Sequence, residues 1–239
     1  MTDARMTDLL ETLEILRDTF FNGDIIAQSW LFLVKGLGMT LVVSAIVIPL
    51  GLAAGLAIAV TATFRARFLG VPVNWLLVAY VDFFRAFPPL VLLMFVHFGL
   101  PFAGIELPAL GSVAIAFTLN TSSYYGEVFR AGIESIPRGQ WEAARSTGLT
   151  RLQTLIHVVV PQATRNVLPD LLGNTLEVVK LTSLASVVAV TELTYNARGA
   201  QALLFNPTPI VLAALMYLAL LWPLVRILSR LEHKALAVR

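Results

Sequence analysis

Few residues of this chain can do chemistry, and the informative ones sit where an apolar setting makes them costly. Asn120, Tyr124 and Glu127 follow one another at helical spacing, so a single helix face carries all three. Asn174, Glu177 and Lys180 recur every third residue as a looser stripe, with Thr182 and Ser183 just beyond. A carboxylate and an ammonium in such a place can meet the amino and carboxylate groups of a zwitterion, with a polar cavity lowering their burial cost. Glu177 and Lys180 can equally neutralise each other at i, i+3 and keep their helix insertable. Hydrolytic and metal chemistry find no footing. Lys35, Lys180 and Lys234 follow Val, Val and His, so there is no G-x-x-x-x-G-K-[ST] loop for nucleotide phosphates. His97, His157 and His233 lie in separate segments, there is no cysteine, and no G-x-S-x-G elbow occurs. This chain is expected to be neither an enzyme nor a metal protein, and His97 reads as packed or pore-lining.

The elements that must hold these side chains are membrane helices. The 239 residues are 57% hydrophobic and only 13% charged, with a mean hydropathy of +0.79. Soluble domains average roughly 45–50% apolar and about 25% charged residues. The net charge of +2 is too weak to point to a nucleic-acid partner. Charge-free runs cover 36–64, 86–105, 107–126 and 199–225, each long enough to span a bilayer. Adding the stretch that contains Glu177 and Lys180 predicts an all-α, polytopic protein. Its five transmembrane helices lie at about 36–64, 86–105, 107–129, 166–190 and 206–228. Pro49 should bend the first span, and Pro88-Pro89 should break the helix near the second, leaving Asn74 to Arg85 partly along the interface. Gly51 and Gly55 form a G-x-x-x-G pair suited to close helix packing.

Residues 1–28 carry six acids (Asp3, Asp8, Glu11, Glu14, Asp18, Asp24) against Arg5 and Arg17, the wrong start for a cleavable signal. Leu9, Leu13, Leu16 and Phe20 recur at helical spacing, so residues 1–35 read as an amphipathic segment on the membrane face. Bases gather in alternate loops: Arg65 and Arg67; Arg130, Arg138, Arg145, Arg151 and Arg165; then Arg226, Arg230, Lys234 and Arg239. The loop at Glu106 has none, and the one before the last span has Arg198 alone. The bias puts the N-terminus outside and the C-terminus, with a short tail at 233–239, in the cytoplasm.

The loop at about 130–165 is the longest polar stretch. Pro137 is placed to open a helix, Gly148 to stop it, and Thr150 with Gln153 to cap a second helix that Pro161 ends. A helix pair held between two spans is shaped to dock into a groove on another protein. A loop lying on the headgroups, with its arginines on lipid phosphates, fits the same residues.

Here the chain resembles a family. Glu142-Ala143-Ala144, Arg145, then Gly148 and Pro161, resembles the EAA loop of ABC importer permeases, with Val158 and Val160 where that pattern has Ile and Leu. GLGMTLVVS is similar to the first conserved span of polar amino-acid permeases. YVDFFRAFPPLVLL resembles their Y-x-x-x-F-R-G-T-P-L-L segment, Ala86-Phe87 replacing Gly-Thr. LNTSSYYGEVFRAGIESIPRGQWEAA follows the next conserved run except at Ser123, Gly126 and Ala131. Asn174, Lys180 and Thr182-Ser183-Leu184 match the N…K-x-T-S-L run of the fourth span.

The resemblance covers about Gly36 to Glu232, a permease domain of type I importer kind. It implies an ATP-driven amino-acid importer in a bacterial inner membrane. The implied partners are ABC ATPase subunits that hold the ATP and Mg, a second permease subunit (a copy or a paralogue), an external substrate-binding protein, and membrane lipid. Glu142, Ala143, Ala144, Arg145 and Gly148 would couple to the ATPase. Zwitterionic or cationic amino acids, opines and ectoine-like solutes are the implied cargo classes. Two other functions fit parts of the sequence. An ion- or proton-coupled transporter would use Glu127, Glu177 and Lys180 as a relay, and a non-transporting scaffold would use only the helix pair. The orientation has a direct test, because introduced cysteines meet no background. We expect Arg145→Cys to resist an impermeant external thiol reagent in intact cells and to react once the membrane is opened; labelling from outside would overturn the orientation.

Overall fold

The computed structural model describes residues 2–64, 67–68 and 71–237, with side chains described over 10–64 and 72–230. Arg65 and Arg239 lie outside the described residues, as do the side chains of Asp3, Arg5, Asp8, Leu9, Arg67, His233 and Lys234. Helices dominate. In chain order they are α1 (Thr2–Phe20), α2 (Gly23–Ala62), α3 (Val73–Ala86), α4 (Pro89–Met94), α5 (Ala109–Glu134), α6 (Arg138–Ser146), α7 (Arg151–Thr154), α8 (Val160–Asn166), α9 (Leu168–Leu181), α10 (Leu193–Leu204) and α11 (Thr208–Ala237). A minimal antiparallel pair, β1 (Arg67–Phe68) with β2 (Val71–Pro72), joins α2 to α3.

Three helical stretches among the described residues are long and apolar enough to cross a membrane: Leu10–Ala62, Leu168–Val188 and Thr208–Arg230. Val73–Ala86 with Pro89–Ala103 adds a fourth if the pair, bent by 101°, is one broken span. Against the five expected, the difference lies in α5. It runs for 26 residues, but Asn120, Thr121, Ser122 and Ser123 interrupt its apolar run, and all four are buried. The first long helix also starts at Gly23 rather than near Gly36, passing through Lys35 and Pro49. Lys35 bounds a charge-free window without ending a helix, because an exposed lysine can snorkel to the interface.

The chain forms two compact units. One comprises Met1–Val42 and Leu181–Pro223. Its apolar centre is Leu33, Leu193, Ala197 and Ala213. The Glu192 side chain caps α10, accepting from the backbone of Thr194 (2.8 Å) and Tyr195 (2.7 Å) and from the Tyr217 hydroxyl (2.9 Å). Burial nevertheless pushes its carboxyl above the usual carboxylate range.

The other unit, Val43–Lys180 with Leu224–Arg239, is organised around α5. Buried Val113, Ala116, Phe117, Tyr125 and Phe129 give α5 an apolar inner face. Tyr125 also bonds Thr175 of α9 through its hydroxyl (2.9 Å). The Gly51–Gly55 pair of α2 lies directly on α5. A Cβ at Gly51 would run into the Thr121 side chain, and one at Gly55 would come within 2.6 Å of the Tyr125 Cβ and 2.8 Å of the Gly126 nitrogen. Backbone cannot yield as a flexible side chain can, so Gly55 is the stricter position. Gly55→Leu should therefore cost on the order of 1–3 kcal/mol through overpacking, read as a lowered Tm of the purified protein. Gly38→Ala, which meets nothing within 4 Å, is the control and should leave Tm within a degree or so.

Candidate functional site

Two places in the Val43–Lys180 unit gather eight of the residues singled out by sequence. The first is the helix pair after α5. Ser135 ends α5, and α6 opens with Pro137 at its N-cap. Ala144 turns inward and is buried, while Glu142, Ala143 and Arg145 stay exposed. Gly148 then turns the chain at φ +88°, a left-handed conformation that a β-branched residue resists. Thr150 and Gln153 make the expected capping box at the start of α7.

Pro161 does not end that second helix. A π-helical turn at Leu155–Val159, closed by the Val160 N–H on the Leu155 carbonyl, admits the proline, and the helix resumes as α8. The pair is thus a short rod, a glycine turn and a longer rod. Glu142 and Arg145 lie exposed on the first rod.

The second place is the face that α5 turns to α3. Phe84 and Arg85 would normally offer their carbonyls to the N–H groups four residues on, but those residues are Pro88 and Pro89. Asn120 Nδ2 donates to the Phe84 carbonyl at 3.0 Å, and the Tyr124 hydroxyl to the Arg85 carbonyl at 3.3 Å. Two members of the predicted substrate stripe therefore serve a helix break. The Tyr80 hydroxyl joins the same seam, donating to the Leu119 carbonyl at 3.2 Å and lying 2.8 Å from Ser122 Oγ.

Glu127, next on the stripe, accepts two bonds from Arg130 (2.6 and 3.0 Å) and lies 3.9 Å from Arg85. Arg130 also reaches Glu134 at 2.6 Å. Glu127, Arg130 and Glu134 rim a cavity of about 420 Å³ whose lining also includes Ile58, Thr63, Asn74 and Asp82. The Asn74 Oδ1 is buried there with no hydrogen-bond partner. Sequence reasoning missed Arg85, Asp82 and Asn74. The signal for the break was the donor count at Pro88-Pro89, which demands two side-chain donors nearby.

The other stripe lies on α9. Lys180 Nζ and Glu177 Oε1 are 2.6 Å apart, the i, i+3 pair foreseen, with side chains 51% and 67% exposed. Asn174 is half-buried beside them on α9, whereas Thr182, in the other unit, is fully buried and Ser183 partly so. His97 is packed, sharing a 3.0 Å hydrogen bond with Ser112. Among the described residues no three His, Asp or Glu come together as a metal would require.

Residues 48–236 match the family described as "Binding-protein-dependent transport system inner membrane component". Curated relatives include the probable amino-acid ABC transporter permease YckA of Bacillus subtilis, 35% identical over 84% of this chain and 87% of that protein. The probable glutamine permease GlnM of the same organism is 36% identical over 85% and 93%. The L-cystine permease TcyB, also from Bacillus subtilis, is 33% identical over 88% of each chain. Among solved structures, an amino acid ABC transporter crystallised with histidines superposes with a TM-score of 0.77 at 29% identity. It covers 87% of this chain and 96% of that one. An inward-facing MetNI methionine transporter shares the fold at a TM-score of 0.71 and 18% identity.

The seam between α3 and α5 makes a prediction of its own. Asn120→Leu leaves the Phe84 carbonyl without a donor in an apolar setting and should destabilise the protein by about 1–3 kcal/mol. Tyr124→Phe, losing a longer and more exposed bond, should cost less, about 0.5–1.5 kcal/mol. Thermal unfolding of the purified protein without solute measures both. An unchanged Tm with lost solute affinity would assign Asn120 to cargo instead.

Proposed function

This chain belongs to the family of binding-protein-dependent transport system inner membrane components, and on that premise we propose how it works as the permease subunit of an ATP-driven amino-acid importer. It crosses the bacterial inner membrane five times, α5 included, with Asp18 outside and the α6–α7 pair inside. Two such subunits, copies or paralogues, line one path. Two ATPase subunits hold ATP and Mg below them, and a binding protein delivers solute from outside. Glu142, Ala143, Ala144, Arg145 and Gly148 form the contact through which ATP hydrolysis drives the spans.

The exposed charges on α6, closed off by a left-handed glycine and a capping box, carry this reading. A rod so tightly terminated at its end moves as one piece when a partner grips it. A headgroup-bound loop needs no such termination. Cargo is a polar amino acid, as the names of the relatives suggest, and its path is proposed to run by Asn120, Tyr124 and Glu127 and by Asn174, Glu177, Lys180, Thr182 and Ser183. Of these, Glu127, Glu177 and Lys180 offer the charges that a zwitterion requires. The secondary-transporter and scaffold readings draw no support from any relative.

The test is made in proteoliposomes holding the permease, its ATPase and the binding protein. Glu142→Lys reverses the charge offered to the ATPase, and Gly148→Val strains the turn at φ +88°. Each should cut ATP-driven uptake by about tenfold or more, the equivalent of roughly 1.4 kcal/mol, while the subunit still inserts. Normal uptake at normal expression would sink the docking claim.

A further inference from the structure

The long helix α2 ends on the same side as the coupling pair, and its last turn contains no base. Its final carbonyls need donors from elsewhere. Local groups take three of them: Thr63 Oγ1 donates to Ala59, the Thr63 N–H to Val60, and the Phe64 N–H to Thr61, at 3.0, 3.1 and 3.1 Å. The carbonyl of Thr63 is taken by Arg151, 88 residues further on, whose Nη2 donates at 2.9 Å. The same guanidinium stands 5.8 Å from the centre of the Phe64 ring.

Arg151 is the first residue of α7, directly after the Thr150 cap. A cation there opposes its own helix, whose N-terminal end carries partial positive charge. Its charge is instead spent at the C-terminal end of α2, where the dipole of a 40-residue helix favours a cation. The planar guanidinium donates a charge-assisted bond and lies over a ring at once, a combination that its rigid fork suits better than a flexible ammonium. The capping box fixes the backbone that carries it, so the grip has a rigid base.

We propose that Arg151 is a positioning residue that ties the coupling pair to the cytoplasmic end of the first span. A push on α6–α7 then reaches α2 directly, in addition to α5, to which α6 is joined by Ser135–Pro137. The proposal rests on α6–α7 being the ATPase contact.

Three variants, Arg151→Ala, Arg151→Lys and Phe64→Leu, are compared with Glu142→Lys in proteoliposomes of the complete transporter. The readout is solute imported per ATP hydrolysed, alongside the amount of assembled complex. Arg151→Ala should lower that ratio about fivefold with basal hydrolysis and assembly retained, Lys should restore part of it, and Phe64→Leu should lose less. A purely structural role would reduce assembly and leave the ratio alone, and that result overturns the proposal. If Glu142→Lys uncouples and Arg151→Ala does not, the tie is refuted while the docking reading stands. If neither uncouples, the docking reading fails first. Should Arg151→Ala not assemble, spin labels at Ala62→Cys and Leu152→Cys in an otherwise unaltered chain decide. Their separation should stay constant between nucleotide-free and ATP-bound states, and a change on ATP binding would overturn the tie.

Discussion

Pro88 and Pro89 supply no N–H to the carbonyls of Phe84 and Arg85, and in an apolar surrounding an unpaired carbonyl costs several kcal/mol. Donors must then come from a neighbouring helix, and that need shapes α5. Asn120 and Tyr124, one turn apart, meet the two carbonyls. A helix face committed to this task cannot face lipid, so α5 is buried and polar where a simple span would be apolar. Its other faces must then accept close neighbours: the glycines of α2, whose Cβ-less backbone lies against Thr121, Tyr125 and Gly126, and Thr175 of α9. The 101° bend between α3 and α4 and the central place of α5 in its unit follow from one pair of prolines.

The same helix hands on to the α6–α7 pair. Glu127, Arg130 and Glu134 form a chain of ion pairs along its last two turns, and α6 begins a few residues later. Local chemistry alone terminates each rod there: a proline before α6, a left-handed glycine after it, a reciprocal cap at α7. These devices are short-range.

Short-range signals were accordingly legible in the sequence. Charge-free windows located most of the long helices, Gly148 stopped a helix as expected, and the Thr150–Gln153 cap is present. What the sequence could not display were partners. Asn120 and Tyr124 share a face, but spacing says nothing of what lies opposite, and a cargo-facing stripe and a carbonyl-capping stripe look alike until the missing proline donors are counted. Pro161 read as a stop because a π turn, which admits it, has no residue signature. Gly23 rather than Gly36 begins α2 because a lysine limits an apolar window and not a helix. Arg151 was visible only as one more loop base, since its partner is a backbone carbonyl 88 residues away.

Uptake in sealed vesicles decides most directly whether this chain is the permease of an ATP-driven amino-acid importer. The subunit, its ATPase and the binding protein are reconstituted, with ATP on the ATPase side, binding protein on the other, and a labelled polar amino acid. The account predicts uphill accumulation that requires both ATP and binding protein and is indifferent to a protonophore. Accumulation driven by a proton or sodium gradient without ATP would contradict it.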